Sequence, residues 1–299
     1  MAMGSSATPG KARSQQKSRQ RNQGLLVLHT VLRDRKGVIG AAVTVALLLV
    51  AVAAPWLAPY PPLDMHKGHE LQPPTVQYWF GTDEFGRDNL SRIIYGSRIS
   101  IAVGGAAVFL AGLVGVSTGL AAGYLGGRVD TIIMRAWDGL LAFPGVFLAI
   151  GVVAVLGPGP INATLAVAII NVPIFARLAR ASTLSEKEKE YVEAARAMGS
   201  SSTRVMLRAI LPNCLPAILV QMTLAVPQAI LVEASLAFLG LGTQPPKPSW
   251  GTMLQSARAY MTRSAWYPIF PGAVITLLVL ALSLFGDGLR DALDPTQRR

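Results

Sequence analysis

From Val38 to Ala58 the chain carries no charged side chain, and apolar runs of similar length return five more times before the C-terminus. This repetition limits the fold more than any other feature. A run of twenty-one residues makes a helix of ~31 Å, the thickness of a bilayer's hydrocarbon core. In lipid no water is present to satisfy backbone N–H and C=O groups, so an unbroken apolar run of this length spans as an α-helix. Composition agrees: 52% of residues are hydrophobic and only 14% are charged, where a soluble domain carries about a quarter charged. The expected class is an all-α, polytopic membrane protein with six spans.

Taken in order, the chain divides into five regions. Residues 1–36 form a polar, basic tail, expected to be partly disordered because it has too few apolar side chains to bury a core. It shows no cleavable signal pattern. Residues 37–58 hold the first span, and 59–98 form a polar, Pro-rich outer loop. Residues 99–287 hold five more spans, and 288–299 form the C-terminal tail. The second span covers 99–123. Gly115, Gly119 and Gly123 recur every fourth residue, with Ala111 extending the row, as on a helical face that packs closely against another helix in lipid. Residues 126–139 are amphipathic and interfacial, with Arg128, Asp130, Arg135 and Asp138. The third span follows to Leu156 and bends at Pro144. The fourth covers 161–178, the fifth runs 213–240 with interruptions at Pro216 and Pro227, and the sixth covers 269–285.

Charge assigns the sides. The two tails, the 126–139 segment and the loop at 180–212 with its flanking Arg177 carry 20 of the 27 Lys and Arg. The opposite side carries Lys67, Arg87, Arg92, Arg98, Lys247, Arg258 and Arg263. By the positive-inside rule the first group is cytoplasmic, with both termini inside. The net charge of +11 is spread along span ends instead of forming one basic, aromatic-studded face, which argues against nucleic-acid binding. The one cysteine, Cys214, excludes an intrachain disulfide and leaves the redox compartment open.

The loop at 180–212 is the polar island of the apolar core. Ser185 and Glu188 have the spacing of a capping box, which predicts a helix start there. Residues 186–198 are mostly strong helix formers, and Gly199 suits the left-handed position past a helix end. Ser200 to Thr203 then offer caps for a second helix that Pro212 interrupts or kinks. Glu193-Ala194-Ala195, followed by Gly199 and Leu211-Pro212, resembles the "EAA" loop of permease subunits in ATP-binding-cassette importers. One position departs mildly from that pattern: Ala209, with Ile210 beside it, stands where the family has an apolar residue, often Ile. The resemblance implies a cytoplasmic loop whose short helix docks on an ATPase subunit, with Glu193, Ala194, Ala195, Gly199, Leu211 and Pro212 forming the coupling contact.

Further motifs narrow the family. Gly81-Thr-Asp83, Gly86-Arg87-Asp88, Ser91-Arg92, Tyr95-Gly96 and Arg98-Ile-Ser100 are similar to the segment after the first span in the second (C-type) permease of dipeptide, oligopeptide and nickel importers. So are Glu233-Ala-Ser-Leu-Ala-Phe-Leu-Gly240-Leu-Gly with Pro245-Pro246 and Ser249-Trp250-Gly251, and the tail Gly286-Asp-Gly-Leu-Arg290 to Asp294-Pro295. The resemblance covers about residues 30–295. It implies the type I importer permease fold and a plasma-membrane subunit that pairs with a second permease. Two cytoplasmic ATP-binding subunits would carry ATP and Mg, and an extracytoplasmic solute-binding protein would deliver a di- or oligopeptide, with nickel or a glutathione-like solute as the alternative.

Catalytic signatures do not occur. There is no phosphate-binding Gly-x-x-x-x-Gly-Lys-Ser/Thr, no His-Glu-x-x-His and no Gly-x-Ser-x-Gly. The chain is thus expected to be no enzyme and to bind no cofactor itself. Of the three histidines, His29 stands alone, while His66 and His69 lie with Asp64 and Glu70 in the outer loop. That composition is compatible with a metal but ordinary for a solvated loop, so no metal site is assigned. Glu233 is the one acid inside a span. It has two readings: a pathway or gating residue, or a group near the outer interface. An ion-coupled secondary transporter would more often show several buried carboxylates, and one Glu supports that class poorly.

Overall fold

The computed structural model describes residues 34–293. The basic N-terminal stretch, His29, Asp294 and Pro295 lie outside the described residues. Among the described residues no β-strand forms; one isolated bridge joins Thr82 and Asp88. The helices are α1 (Arg35–Val52), α2 (Ala54–Leu57), α3 (Asn89–Leu125), α4 (Gly127–Leu141), α5 (Gly145–Leu156), α6 (Pro160–Lys187), α7 (Glu190–Ala197), α8 (Ser202–Val205), α9 (Leu211–Phe238), α10 (Trp250–Ala257) and α11 (Trp266–Leu293).

Several boundaries differ from the sequence expectation, each for a local reason. The first span breaks at Ala53, where Pro55 in the first turn of α2 has no N–H to continue the ladder. α3 starts at Asn89, ten residues before the apolar run, because the Asp88 carboxylate caps it by accepting from Ser91 N at 2.8 Å. α6 runs on to Lys187, past the apolar run, with Arg177 and Arg180 paired to Asp138 and Asp130. α9 is continuous through Pro216 and Pro227, which were expected to interrupt it. Membrane helices tolerate proline where neighbouring groups satisfy the freed carbonyls. Pro212 does not break the chain either: it sits in the first turn of α9, and a π turn over Met206–Ile210 widens the helix where its ring would meet the carbonyl four residues back.

Five helices are long and apolar enough to cross a membrane, and α4 with α5 forms a sixth candidate bent by 93° across Pro144. Packing decides between five crossings and six. Gly115 faces Val172 and Phe175, Gly119 faces Ala176, and Gly123 faces Arg180 and Thr183. Rising numbers on α3 meet rising numbers on α6, so the two helices are parallel neighbours. A chain that leaves one and enters the other in the same direction crosses once between them. The bent α4–α5 pair is that crossing, and the count is six. α1 and α11 are antiparallel, with Gly40 against Ala281 and Phe285 and Gly37 against Gly288, so the two described ends meet at one end of the bundle.

Three buried clusters stack along the bundle. Val108, Val153, Phe175 and Leu236 lie at its centre. Ile93, Ile230, Trp250 and Met253 fill one end, where Trp250 Nε1 donates to Ile93 O at 3.0 Å. Leu120, Val192, Val205, Ile210 and Cys214 fill the other, which also carries α7.

Candidate functional site

α7 is anchored on one face and open on the other. Val192 is fully buried in the cluster with Val205, Ile210 and Cys214, and Ala195 packs on its edge. Glu193, Ala194, Met198 and Gly199 are exposed, Met198 to 79%. The result is a small-residue shelf held rigidly by what lies beneath it.

The start of α7 departs from the sequence expectation. Ser185 lies in the last turn of α6 and Glu188 ends that helix, so no capping box forms: a cap needs non-helical backbone, and residue 185 is helical. α7 begins at Glu190 after Lys189, in extended conformation. Glu186 fixes the turn instead, accepting from Lys189 Nζ at 2.6 Å and from Tyr191 Oη at 2.6 Å. Asn213 Nδ2 donates to the same hydroxyl at 3.1 Å and ties α7 to α9. Burial, reinforced by the Glu186 carboxylate, pushes the Tyr191 hydroxyl well above the ordinary range, so it stays a donor at physiological pH. Glu190 and Glu193 occupy the first turn, where the helix dipole favours negative charge. Among the described residues Glu193 makes no ion pair, so its carboxylate is presented outward.

The end of α7 is a Schellman turn: Gly199 N donates to Arg196 O at 2.9 Å and Ser200 N to Ala195 O at 3.1 Å. Gly199 has φ +76°. Arg196 lies over the Tyr124 ring, 5.0 Å from its centroid, and docks the shelf on the end of α3. Leu211 packs on the same cluster as Val192, and Pro212 follows it into α9. α8 starts at Ser202 after Ser201, with a backbone bond and no side-chain cap.

The remaining sequence candidates lie elsewhere. Ala111, Gly115, Gly119 and Gly123 are all buried; the three glycines form the α3–α6 contact, and Ala111 lies in the central cluster. Glu233 is 1% exposed, and neither carboxylate oxygen has a hydrogen-bond partner. It is enclosed in the bundle rather than lining an open cavity. His66 packs edge-on to Tyr60 at 5.3 Å, and His69 pairs with Gln72 at 3.3 Å. Among the described residues no three metal-ligating side chains converge.

The outer motifs build one structure. Asp83 accepts from Arg87 Nε at 2.6 Å and has Arg92 Nε 3.3 Å away, while Tyr267 Oη donates to Glu84 at 2.6 Å. These bonds fasten the loop that precedes α3 to α3 and α11.

Sequence reasoning missed two features. The Glu186–Tyr191–Asn213 clasp carries no local signal, because Asn213 lies 22 residues from Tyr191. The ion pairs Arg180–Asp130 and Arg177–Asp138 had a partial one: Asp130 and Asp138 are two helical turns apart on the face that meets α6.

Comparison with known proteins adds to this geometry. Residues 115–299 match the family described as binding-protein-dependent transport system inner membrane component. Residues 23–74 match the N-terminal transmembrane domain of oligopeptide transport permease C. A dipeptide transport system permease protein of Alkalihalophilus pseudofirmus is 45% identical over 89% of this chain and 88% of its own. A glutathione transport system permease protein of Escherichia coli is 47% identical over 88% of this chain and 87% of its own. Among solved structures, an inward-facing methionine ABC transporter superposes with a TM-score of 0.56, at 17% identity, over 68% of this chain and 96% of that one. At that identity the likeness concerns the fold. Six crossings, a surface-mounted helix bearing Glu193-Ala194-Ala195, and these matches agree: the chain belongs to the inner-membrane permeases of binding-protein-dependent ABC importers, in the oligopeptide permease C group.

Proposed function

We propose that this chain is one of two different permease subunits of an ATP-driven importer for short peptides. Half of the pathway is its own and half its partner's. ATP binds and is hydrolysed, with Mg, on two cytoplasmic subunits, and a solute-binding protein delivers peptide from outside. The end of the bundle carrying α7 faces the cytoplasm, in keeping with the Lys and Arg bias. Short peptides are the solute class that suits both the dipeptide and the glutathione relatives.

The observation that carries the reading is the α7 shelf. Glu193, Ala194 and Gly199 are exposed while Val192 and Ala195 are locked to α9 through the inner cluster. A groove closing on the shelf pushes a rigid element, and the push reaches α9 and α3 as a body. The small alanines let an ATPase surface approach closely.

Reconstitution tests this. Proteoliposomes holding both permeases, the ATPases and the binding protein should accumulate dipeptide with ATP inside, and should keep doing so when ion gradients are collapsed. Uptake that follows an ion gradient and ignores ATP contradicts the proposal. The purified chain alone should hydrolyse ATP no faster than buffer, since it lacks a phosphate-binding loop; turnover surviving removal of all other subunits refutes that part.

A further inference from the structure

The ion pairs on the inner half of α6 play no part in the α7 shelf. Arg180 grips Asp130 through Nε and Nη2 at 2.5 and 2.6 Å, and Arg177 Nη2 lies 2.6 Å from Asp138 Oδ1. Arg177 and Asp138 are half open, with side-chain exposures of 56% and 49%. Arg177 lies ~25 Å along α6 from Pro160, within the ~30 Å of a hydrocarbon core.

A charged pair exposed at that depth meets lipid, protein or water. Lipid is the costly choice. An arginine stem reaches toward the interface, but a short aspartate cannot, and charges inside membranes mark cavities and ion or solute paths. α4 also shows which side is its dry one. Val129 and Ile132, exposed to 40% and 68%, lie off the line that carries Asp130 and Asp138. The polar line opens on a cleft of ≈490 Å³ bounded by α4 and α6, within the size range of small-molecule sites. Arg135 lines the same cleft and, among the described residues, makes no ion pair, so the cleft holds one guanidinium in excess of its carboxylates.

We propose that this cleft is the inner section of the solute pathway, and that its guanidinium and carboxylate groups receive the two charged ends of a zwitterionic solute. Arg135, with no internal partner, takes the carboxylate. Asp130 and Asp138 face the ammonium, exchanging one cation for another as the solute passes. The inference rests on the importer reading above and deepens it.

Thr131, exposed and lining the cleft, gives the test. Thr131→Cys and, as control, Ile132→Cys are placed in a Cys214→Ser chain and assembled into the full importer. A charged, water-soluble thiol reagent is applied to the cytoplasmic face with and without glycyl-leucine. The thiol of the Thr131→Cys importer should react severalfold faster than that of the Ile132→Cys control, and the dipeptide should slow it severalfold. Adding Arg135→Gln should abolish the protection and leave the labelling. A thiol at position 131 that only membrane-permeant reagents reach overturns the pathway assignment. Fast labelling that dipeptide does not slow overturns the solute site, as does protection unchanged by Arg135→Gln. ATP-driven glycyl-leucine uptake by the unmodified importer is measured alongside. If it is present and labelling fails, only this inference falls; if it is absent, the importer reading falls, and this inference with it.

Discussion

A side chain built at position 199 meets open space, so any penalty there comes from backbone angle alone. At φ +76° a β-branched residue is strained by ~1 kcal/mol or more, alanine less, and asparagine least. Uptake and ATPase copurification should therefore fall most for Gly199→Val, less for Gly199→Ala and least for Gly199→Asn, at equal membrane abundance. An asparagine variant as damaged as valine would show that the groove measures size, not angle. Glu233 is the opposite case, set by surroundings. Its carboxylate is buried without partners, and such burial costs free energy that a neutral isostere avoids. Glu233→Gln should keep or raise the melting temperature in detergent; a drop of more than ~5 °C, about 3 kcal/mol for a chain of this length, contradicts that account. The conformation of Gly199 was legible in the sequence because a helix end is local. The enclosure of Glu233 was not, because it depends on α3, more than a hundred residues away in sequence, closing on α9 together with α10 and α11.

At the scale of elements, the spans were legible and their ends were not. Apolar runs located each crossing, yet α3 and α6 extend into polar sequence whose charges find partners only after folding. Ser185 and Glu188 have capping-box spacing, but the helix of α6 passes through Ser185, and Glu186 holds the turn through Lys189 and Tyr191. Propensity lost to tertiary contact there. The small-residue row on α3 makes a sharper claim. An added Cβ at Gly119 collides with the Ala176 carbonyl of α6, whereas one at Gly105 meets nothing within 4 Å. Gly119→Leu should force the helices apart, costing about 1–3 kcal/mol or more, and cut folded yield; Gly105→Leu should leave it intact. Equal yields from both would remove the α3–α6 contact from the account.

At the scale of the whole molecule, the parallel run of α3 and α6 makes the bent α4–α5 pair a crossing, and the pairing of α1 with α11 brings the two described ends together. α7 lies at that same end, because α9, which follows it, runs antiparallel to α11, with Leu224 against Gly286 and Leu231 and Phe238 beside Gly272 and Ile275. Sequence supplied the number of crossings, and the Lys and Arg bias proposes which side is cytoplasmic. It left out the inner ion pairs, because their partners are 39 and 50 residues apart. The central claim is that α7 is presented to the cytoplasm by a six-crossing bundle. Its most direct test is labelling of Lys67→Cys, Ser185→Cys and Lys247→Cys, each in a Cys214→Ser chain, with an impermeant thiol reagent in intact cells. All three positions are exposed, so access depends only on the side of the membrane. Labelling at 67 and 247, and at 185 only after the cells are opened, is the predicted result; strong labelling at 185 in intact cells would contradict the topology and remove α7 from the reach of any cytoplasmic ATPase.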